Sequence, residues 1–511
     1  MNKNSTLHRL ISGGGLRAIS LTLSIIIAFL MMPFVVKHLG ERWYGLWVIV
    51  GSLIGYYGVL DFGLSSACQR FIAKALHNDK DGEINTIVSS SFLLFSALSI
   101  FSILITCFVL WLSPMFFPVG EELRTFQVVI SILGIKTAIM FLFMVFNGII
   151  SAHLRYDIDS YIEIFKLALR TTLIFLYLTM GYSIVALAVI TLLTETLGYI
   201  LIAISAKKVY TPLRISVKNI DPSLFKKLLN YSKSTFIASL GDILRFRIDD
   251  LVIAKFIGLA AVTHYSIAIQ LVNYIGQFLN TLLGGFLPVF TKYVAQNNND
   301  TMKEKFLLVS EISIFLTLLI VPTVMIIGES FIKIWMGEQF VDAYIPLLIL
   351  GFAAILAGCN RVCITVLYAK AKHHYFAKVN ILEGIANLVL SIVLVREYGI
   401  IGVAIGTAIP TILVKTYLLP KYSCELLEIN LNEYYKLLGK YFIVTLLFYS
   451  TFFWFYQSNI KDTYIHIVFL AAISCFLYLL VAFFLLFSDN LKFYIKQLIP
   501  KRYLPFFRKI I

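Results

Sequence analysis

TIVSSSFLLFSALSIFSILITCFVLWL, residues 86–112, runs for 27 positions without one charged side chain. A helix needs about 20 apolar residues to cross ~30 Å of hydrocarbon, so this stretch alone is long enough to span a bilayer. Five more apolar stretches occupy the same half of the chain, near residues 18–36, 43–63, 125–150, 161–180 and 184–204. Eight follow, near 234–257, 264–290, 306–328, 343–368, 377–395, 400–419, 439–457 and 464–487. Barrel strands would alternate apolar and polar side chains over about ten residues. These runs are continuous, so the sequence predicts an all-α polytopic membrane protein of about fourteen transmembrane helices.

The composition agrees. Of 511 residues, 59% are hydrophobic and 14% charged, with a mean hydropathy of +0.87. A soluble domain carries about 25% charged residues, so this chain has too few to coat a globular surface in water. Disorder, collagen and a secreted disulfide scaffold are excluded as well. The six cysteines, Cys68, Cys107, Cys359, Cys363, Cys424 and Cys475, form no CxxC pair and no Cys/His ligand cluster. Free thiols and no metal site or other cofactor are expected.

Forty-three Lys and Arg against 28 Asp and Glu give +15. In a soluble protein that excess would point to nucleic acid; here it follows topology. With the N-terminus in the cytoplasm, 31 basic residues fall on the cytoplasmic side, seven on the other and five within spans. The positive-inside rule therefore places both termini in the cytoplasm, and no nucleic-acid partner is needed. Lys3, Arg9 and Arg17 precede the first apolar run like a signal peptide. That run exceeds a secretory core of ~7–15 residues and no small-residue cleavage pattern follows, so it is read as a retained helix.

The outer loops are short and leave no room for a catalytic domain. The longest polar stretch between spans, 205–233, carries seven Lys and Arg with Pro212 and Pro222. It divides the chain into an N-terminal lobe (1–204), a cytoplasmic linker (205–233), a C-terminal lobe (234–420) and two further spans with a basic tail (421–511). A faint echo joins the halves: PFVVKHLGERWYG (33–45) and LVIAKFIGLAAVTHY (251–265) share an apolar stretch, a Lys, a Gly and a Tyr. Six helices repeated in the same orientation make a parallel repeat, with a substrate site expected between the halves.

Charges within spans cost ~2.5–3.5 kcal/mol each at the bilayer centre, so they seek a partner or a wet cavity. The seventh span holds Asp242, Arg245, Arg247, Asp249 and Asp250. Helical spacing puts Asp242, Arg245 and Asp249 on one face, and Arg247 pairs with Asp250 three residues on. One reading is self-neutralised pairing that merely seats the helix; the other is a hydrated lining. Lys136 and Arg361 lie deep in their spans, whereas Arg170 has a snorkelling alternative and Arg17 an anchoring one. Together the cations Arg17, Lys136, Arg245, Arg247 and Arg361 suggest an inward-facing basic lining suited to phosphate oxygens. The carboxylates Asp61, Glu195, Glu311 and Glu383 either pair with these cations or take up protons or sodium. Asp61 and Glu311 sit near the expected helix ends and read as interfacial charges. No P-loop, HExxH or GxSxG occurs, so neither ATP-driven transport nor hydrolysis is supported and no catalytic residue is assigned.

Residues 33–53 (PFVVKHLGERWYGLWVIVGSL) and 60–85 (LDFGLSSACQRFIAKALHNDKDGEIN), together with RIDDLVIAKFIGLAAVTHYSIAIQL (247–271), resemble the Wzx-type O-antigen translocases. These form the polysaccharide branch of the multidrug/oligosaccharidyl-lipid/polysaccharide flippases. The resemblance covers the whole chain in span number, orientation and loop length. It implies two six-helix MATE-like lobes with two extra helices, in the bacterial inner membrane. It further implies a central cationic cavity for the pyrophosphate and sugars of a polyprenyl-linked oligosaccharide, and a polysaccharide polymerase with its chain-length machinery as working partners. By position, Arg17, Lys136, Arg245, Arg247 and Arg361 would be the cavity cations, with Asp61, Asp242, Asp249, Asp250, Glu195 and Glu383 for coupling or charge pairing. The two nearly uncharged last spans would make a groove for the lipid tail.

Two rival readings remain at this point. A cation-coupled multidrug or metabolite antiporter of the same superfamily would be expected to have an acidic or apolar cavity, which the embedded Lys and Arg oppose. A membrane polymerase or ligase would need a sizeable outer loop.

Overall fold

The computed structural model describes residues 3–77, 81–117, 119–230, 232, 248–458 and 463–498. The described residues contain helices and no strand, and ten of their helices are long and apolar enough to cross a membrane. The chain divides into two compact units, Met1–Thr263 and His264–Ile511, with the division inside the helix Leu259–Leu283.

In the first unit the helices Lys3–Leu39, Glu41–Tyr56, Asp81–Leu112, Glu121–Ala152 and Ile184–Val209 grow from the expected apolar runs. Tyr156–Thr179 is not among the ten. Its first fifteen positions hold Asp157, Asp159, Glu163, Lys166 and Arg170, a charge load that fits burial against neighbours better than exposure to lipid. The core lies where Phe141, Val145 and Ile149 meet Ile72, Ile87 and Val88. Small residues let these helices approach closely. A methyl group on Gly134 would lie 2.4 Å from Thr106 Oγ1, and one on Gly45 only 1.9 Å from the Leu259 carbonyl oxygen. The latter neighbour is backbone and cannot rotate away. Gly45→Ala should therefore lower the melting temperature of the purified protein, at a cost of about 1–3 kcal/mol. An unchanged transition would show that the two segments part freely.

The 205–233 stretch is not a loose tether along its described length. The Arg214 amide donates to Asn85 Oδ1 at 2.9 Å and the Asp221 amide to Ser90 Oγ at 3.0 Å. Leu213, Leu224 and Leu228 enter the same core as Ile84 and Ile87. Asp221 accepts from the Ser223 hydroxyl at 2.9 Å and from its amide at 2.8 Å, bonds that hold its carboxyl below the usual carboxylate range.

In the second unit, the expected span 343–368 is broken into Tyr344–Cys359 and Arg361–Ala369 at Asn360, whose Oδ1 accepts from the Tyr434 hydroxyl at 2.9 Å. The expected spans 377–395 and 400–419 are two arms of one hairpin. Gly399 folds the chain back with φ 58° and ψ −136°, in the left-handed half of the map that glycine enters without a Cβ penalty. Pairings across the arms descend in register: Ser391 with the Val403 carbonyl, Thr407 with Asn387, Thr411 with Glu383, Lys415 with Asn380. Gly402 and Gly406 leave no room for a Cβ against Leu394 and Ser391.

The last two long helices, Leu431–Ser458 and Tyr464–Val481, pack on Asn299–Trp335 through aromatic and hydroxyl side chains. Thr323 Oγ1 lies 2.8 Å from the Tyr449 hydroxyl, and Thr445 Oγ1 lies 2.6 Å from that of Tyr478. Glu311 was expected near a helix end. Instead it lies well inside the 37-residue helix Asn299–Trp335 and is 3% exposed. It accepts from the Tyr441 hydroxyl at 2.9 Å and from Ser488, through the amide at 2.7 Å and the hydroxyl at 2.6 Å. The far sides of the last two helices, with Leu446, Trp454 and Ile465, stay exposed and apolar, as a lipid-facing surface requires.

Candidate functional site

Three helices of the first unit bring charge together. Tyr156–Thr179 carries Lys166 and Arg170 one turn apart, Ile184–Val209 carries Glu195, and Glu121–Ala152 carries Lys136. The Lys166 Nζ lies 2.9 Å from Glu195 Oε2 and 2.7 Å from Glu163 Oε2, and Arg170 Nη1 lies 3.2 Å from Glu195 Oε1. Lys136 is electrostatically coupled to Glu195, Lys166 and Arg170. Gly198 makes the arrangement possible: a Cβ there would sit 2.2 Å from Lys166 Cδ. The ammonium of Lys166 also faces the Tyr199 ring, 6.0 Å from its centroid. Lys166 and Arg170 thus share Glu195, and Lys166 also holds Glu163. Further along the same helix Asp159 feels the charge of Arg17, whose side chain is exposed.

The second unit holds a more deeply buried pair. Glu383 and Lys415, both within the hairpin, are 3.3 Å apart with side chains only 1% and 2% exposed. Thr411 donates to Glu383 at 2.8 Å, Lys415 reaches Asn380 Oδ1 at 3.4 Å, and the Phe376 ring centroid lies 5.1 Å from its Nζ. Lys415 occupies a π-helical turn, Val414–Leu418, which shifts the facing of this stretch by part of a turn. Arg361 starts the helix after the break at Asn360, with its guanidinium close to Gly276.

Of the residues expected from sequence, Lys136 and Glu195 come together, joined by Arg170, which pairs rather than snorkels. Asp61 serves as a helix cap, accepting from the Ser65 amide at 3.1 Å and hydroxyl at 2.8 Å ahead of Leu64–His77. Asp250 accepts from the Ser52 hydroxyl at 2.6 Å, and Asp249 is buried. Asp242, Arg245 and Arg247 lie outside the described residues. Lys166 and Lys415, which the sequence analysis does not single out, are embedded in these clusters. Each falls within an apolar stretch of the sequence, and in Lys166 the i, i+4 spacing to Arg170 was a visible signal. All six cysteines are free thiols, and among the described residues no group of three or more His, Cys, Asp or Glu is placed to hold a metal.

Residues 40–345 match the family described as polysaccharide biosynthesis protein. The chain belongs to that family. A relative in Shigella flexneri, a putative O-antigen transporter, is 24% identical over 405 residues, covering 76% of this chain and 91% of its own. Among solved structures, a multidrug resistance MATE family transporter of the MOP superfamily in its inward-facing conformation superposes with a TM-score of 0.70 at 15% identity, over 80% of this chain and 98% of that one. The lipid II flippase MurJ, inward closed, gives 0.67 at 14% identity over 91% and 98%. The fold is thus the all-α MATE/MurJ-like fold of multi-pass membrane transporters. In family and fold the chain resembles membrane transporters and flippases and not enzymes.

Proposed function

We propose that this chain is a Wzx-type flippase of the bacterial inner membrane. Its cargo is a polyprenyl-pyrophosphate-linked oligosaccharide, an O-antigen unit or related surface polysaccharide, carried from the cytoplasmic to the periplasmic face by alternating access. Fourteen spans, in two six-helix lobes with two additional helices, and cytoplasmic termini complete the reading. The observation that carries it is a set of cations embedded in the helices: Lys166 and Arg170 pair with Glu195, Lys166 also pairs with Glu163, and Lys136 lies within electrostatic reach of Glu195. Sugars and a pyrophosphate cross hydrocarbon only when their polar groups are met, since each unmet group costs several kcal/mol. Buried ammonium and guanidinium groups meet phosphate oxygens well. Cargo contacts are assigned to Arg17, Lys136, Arg245, Arg247 and Arg361, and charge pairing or coupling to Asp242, Asp249, Asp250, Glu195 and Glu383. An antiporter of organic cations would repel its cargo with such a lining.

Lys136→Gln and Arg361→Gln should each lower export of surface polysaccharide roughly tenfold or more, the loss of one charge-assisted hydrogen bond, with the protein still inserted and abundant. Export is read in cells lacking the native gene and supplied with each variant. Wild-type export from both variants would remove these residues from the mechanism. Proteoliposomes that exchange an organic cation for a driving ion, and leave lipid-linked oligosaccharide unmoved, would favour the antiporter.

A further inference from the structure

The chain leaves its last apolar span at Phe487, whose ψ of 130° is extended and not helical, and at once starts a new helix, Asp489–Leu498. One side of this helix is fixed to the second unit. Glu311 accepts from the Ser488 amide and hydroxyl at 2.7 and 2.6 Å, Lys305 donates to the Tyr494 hydroxyl, and Leu491 and Ile495 pack into the core that holds Phe487. At about 100° per residue, Lys492, Phe493 and Lys496 fall within an arc of about 100° on the other side. Burial agrees: Leu491 is 5% exposed and Phe493 is 57% exposed.

A single exposed Phe is common on any protein surface. This one stands between two lysines in the first turns after the last span, where Phe484 and Leu485 are exposed as well. Lys492 Nζ lies 5.8 Å from the Phe483 ring centroid, so the helix starts against the end of that span. A ring beside two ammonium tips suits a membrane–water boundary: the ring enters the acyl edge while the long stems carry their charges back to the headgroups. Lys305 pairs with Glu304 at 3.4 Å, whereas among the described residues Lys492 and Lys496 form no ion pair. Asp489 is the only acid on the helix, and from Asn490 onward the sequence holds Lys492, Lys496, Lys501, Arg502, Arg508 and Lys509 with no acid, residues 499–511 lying outside the described part. Such a run of one sign complements an anionic leaflet.

We propose that the helix Asp489–Leu498 is a docking surface for anionic phospholipid headgroups, with Lys492 and Lys496 on the phosphates and Phe493 in the acyl boundary. The surface is independent of the cargo, so its failure and that of the flippase reading are separate results. Glu311 and Lys305 hold the helix in place beforehand, and it therefore loses little freedom on meeting lipid. Its contact with the headgroups sets the level at which the last span ends.

The test places the full-length protein in phosphatidylcholine nanodiscs with a rising fraction of brominated lipid and follows the fluorescence that Phe493→Trp adds to that of the five native Trp. Brominated phosphatidylglycerol should reach half of its quenching at about a fifth of the fraction that brominated phosphatidylcholine needs, the factor that one lysine contributes at an anionic surface. Adding Lys492→Gln with Lys496→Gln should make the two lipids equally effective while quenching persists. Equal quenching with both lysines in place overturns the proposal, and so does a preference that survives the double substitution, since other cations would then own it. Absence of quenching by either lipid puts this face in water, open to a protein partner, and also overturns it. Should Phe493→Trp fail to insert, native mass spectrometry of the wild type against the double lysine variant decides. Fewer retained phosphatidylglycerol molecules in the variant are expected, and an unchanged number overturns the proposal.

Discussion

Lys415→Met alone should destabilise the His264–Ile511 unit by about 3–5 kcal/mol, because it removes the ammonium 3.3 Å from Glu383 in a site where only 1% of that side chain is exposed. Thr411 continues to donate to the carboxylate, but a hydroxyl supplies no positive charge. The double substitution Glu383→Met with Lys415→Met should recover most of the loss, since a well-packed apolar pair of similar volume is often as stable as the ions it replaces. Thermal unfolding followed by size-exclusion fluorescence would read the difference as a fall of several degrees in the single variant, with near-wild-type behaviour in the double. A single variant as stable as wild type would show that water or another group reaches Glu383. The transport assay then asks a separate question of the double variant. Retained stability with lost transport makes the pair part of the cycle, and retention of both makes it a seat for the hairpin.

Glu311→Ala should be comparably severe, at about 3–6 kcal/mol. It leaves the Tyr441 hydroxyl and both donors of Ser488 facing a void, and each buried donor without an acceptor costs about 1–3 kcal/mol. Glu311→Gln should cost far less. Its carbonyl oxygen accepts from Tyr441 and the Ser488 amide as Oε1 does now, and its amide donates to the Ser488 hydroxyl oxygen. The local readout is the helix Asp489–Leu498, which begins at the bond Glu311 makes. In a background with Leu491→Cys, thiol labelling at the buried position 491 should be slow with Glu or Gln at 311 and fast with Ala. Equal rates in all three would mean that this helix is held by its apolar face alone.

The fold was largely legible because hydrocarbon imposes one simple demand, a run of apolar residues long enough to cross it, and residues 86–112 or 125–150 meet it openly. What escaped is informative. The break at Asn360 and the reversal at Gly399 leave hydropathy almost unchanged, since both occur among apolar neighbours. Lys166 and Lys415 do not stand out in the sequence because each lies within a few residues of a predicted helix end, where snorkelling is the common outcome. Only the partner on another helix, Glu195 for one and the hairpin's own Glu383 for the other, turns them inward. Pairing across helices is invisible in a linear reading. The same limit applied to Glu311, whose acceptors' partners, Tyr441 and Ser488, lie more than a hundred residues away.

That distance bears on how such a protein acquires or sheds helices. Glu311 and Thr323 would stand in a shorter version of the chain ending near residue 430, but Tyr441, Tyr449 and Ser488 would be gone. A carboxylate stranded against lipid costs ~2.5–3.5 kcal/mol on insertion scales, and a bare hydroxyl adds to it. Trimming the terminal pair therefore demands rewriting the surface it covers, and a lineage that lacks those helices is expected to carry oily side chains where this one carries Glu311 and Thr323.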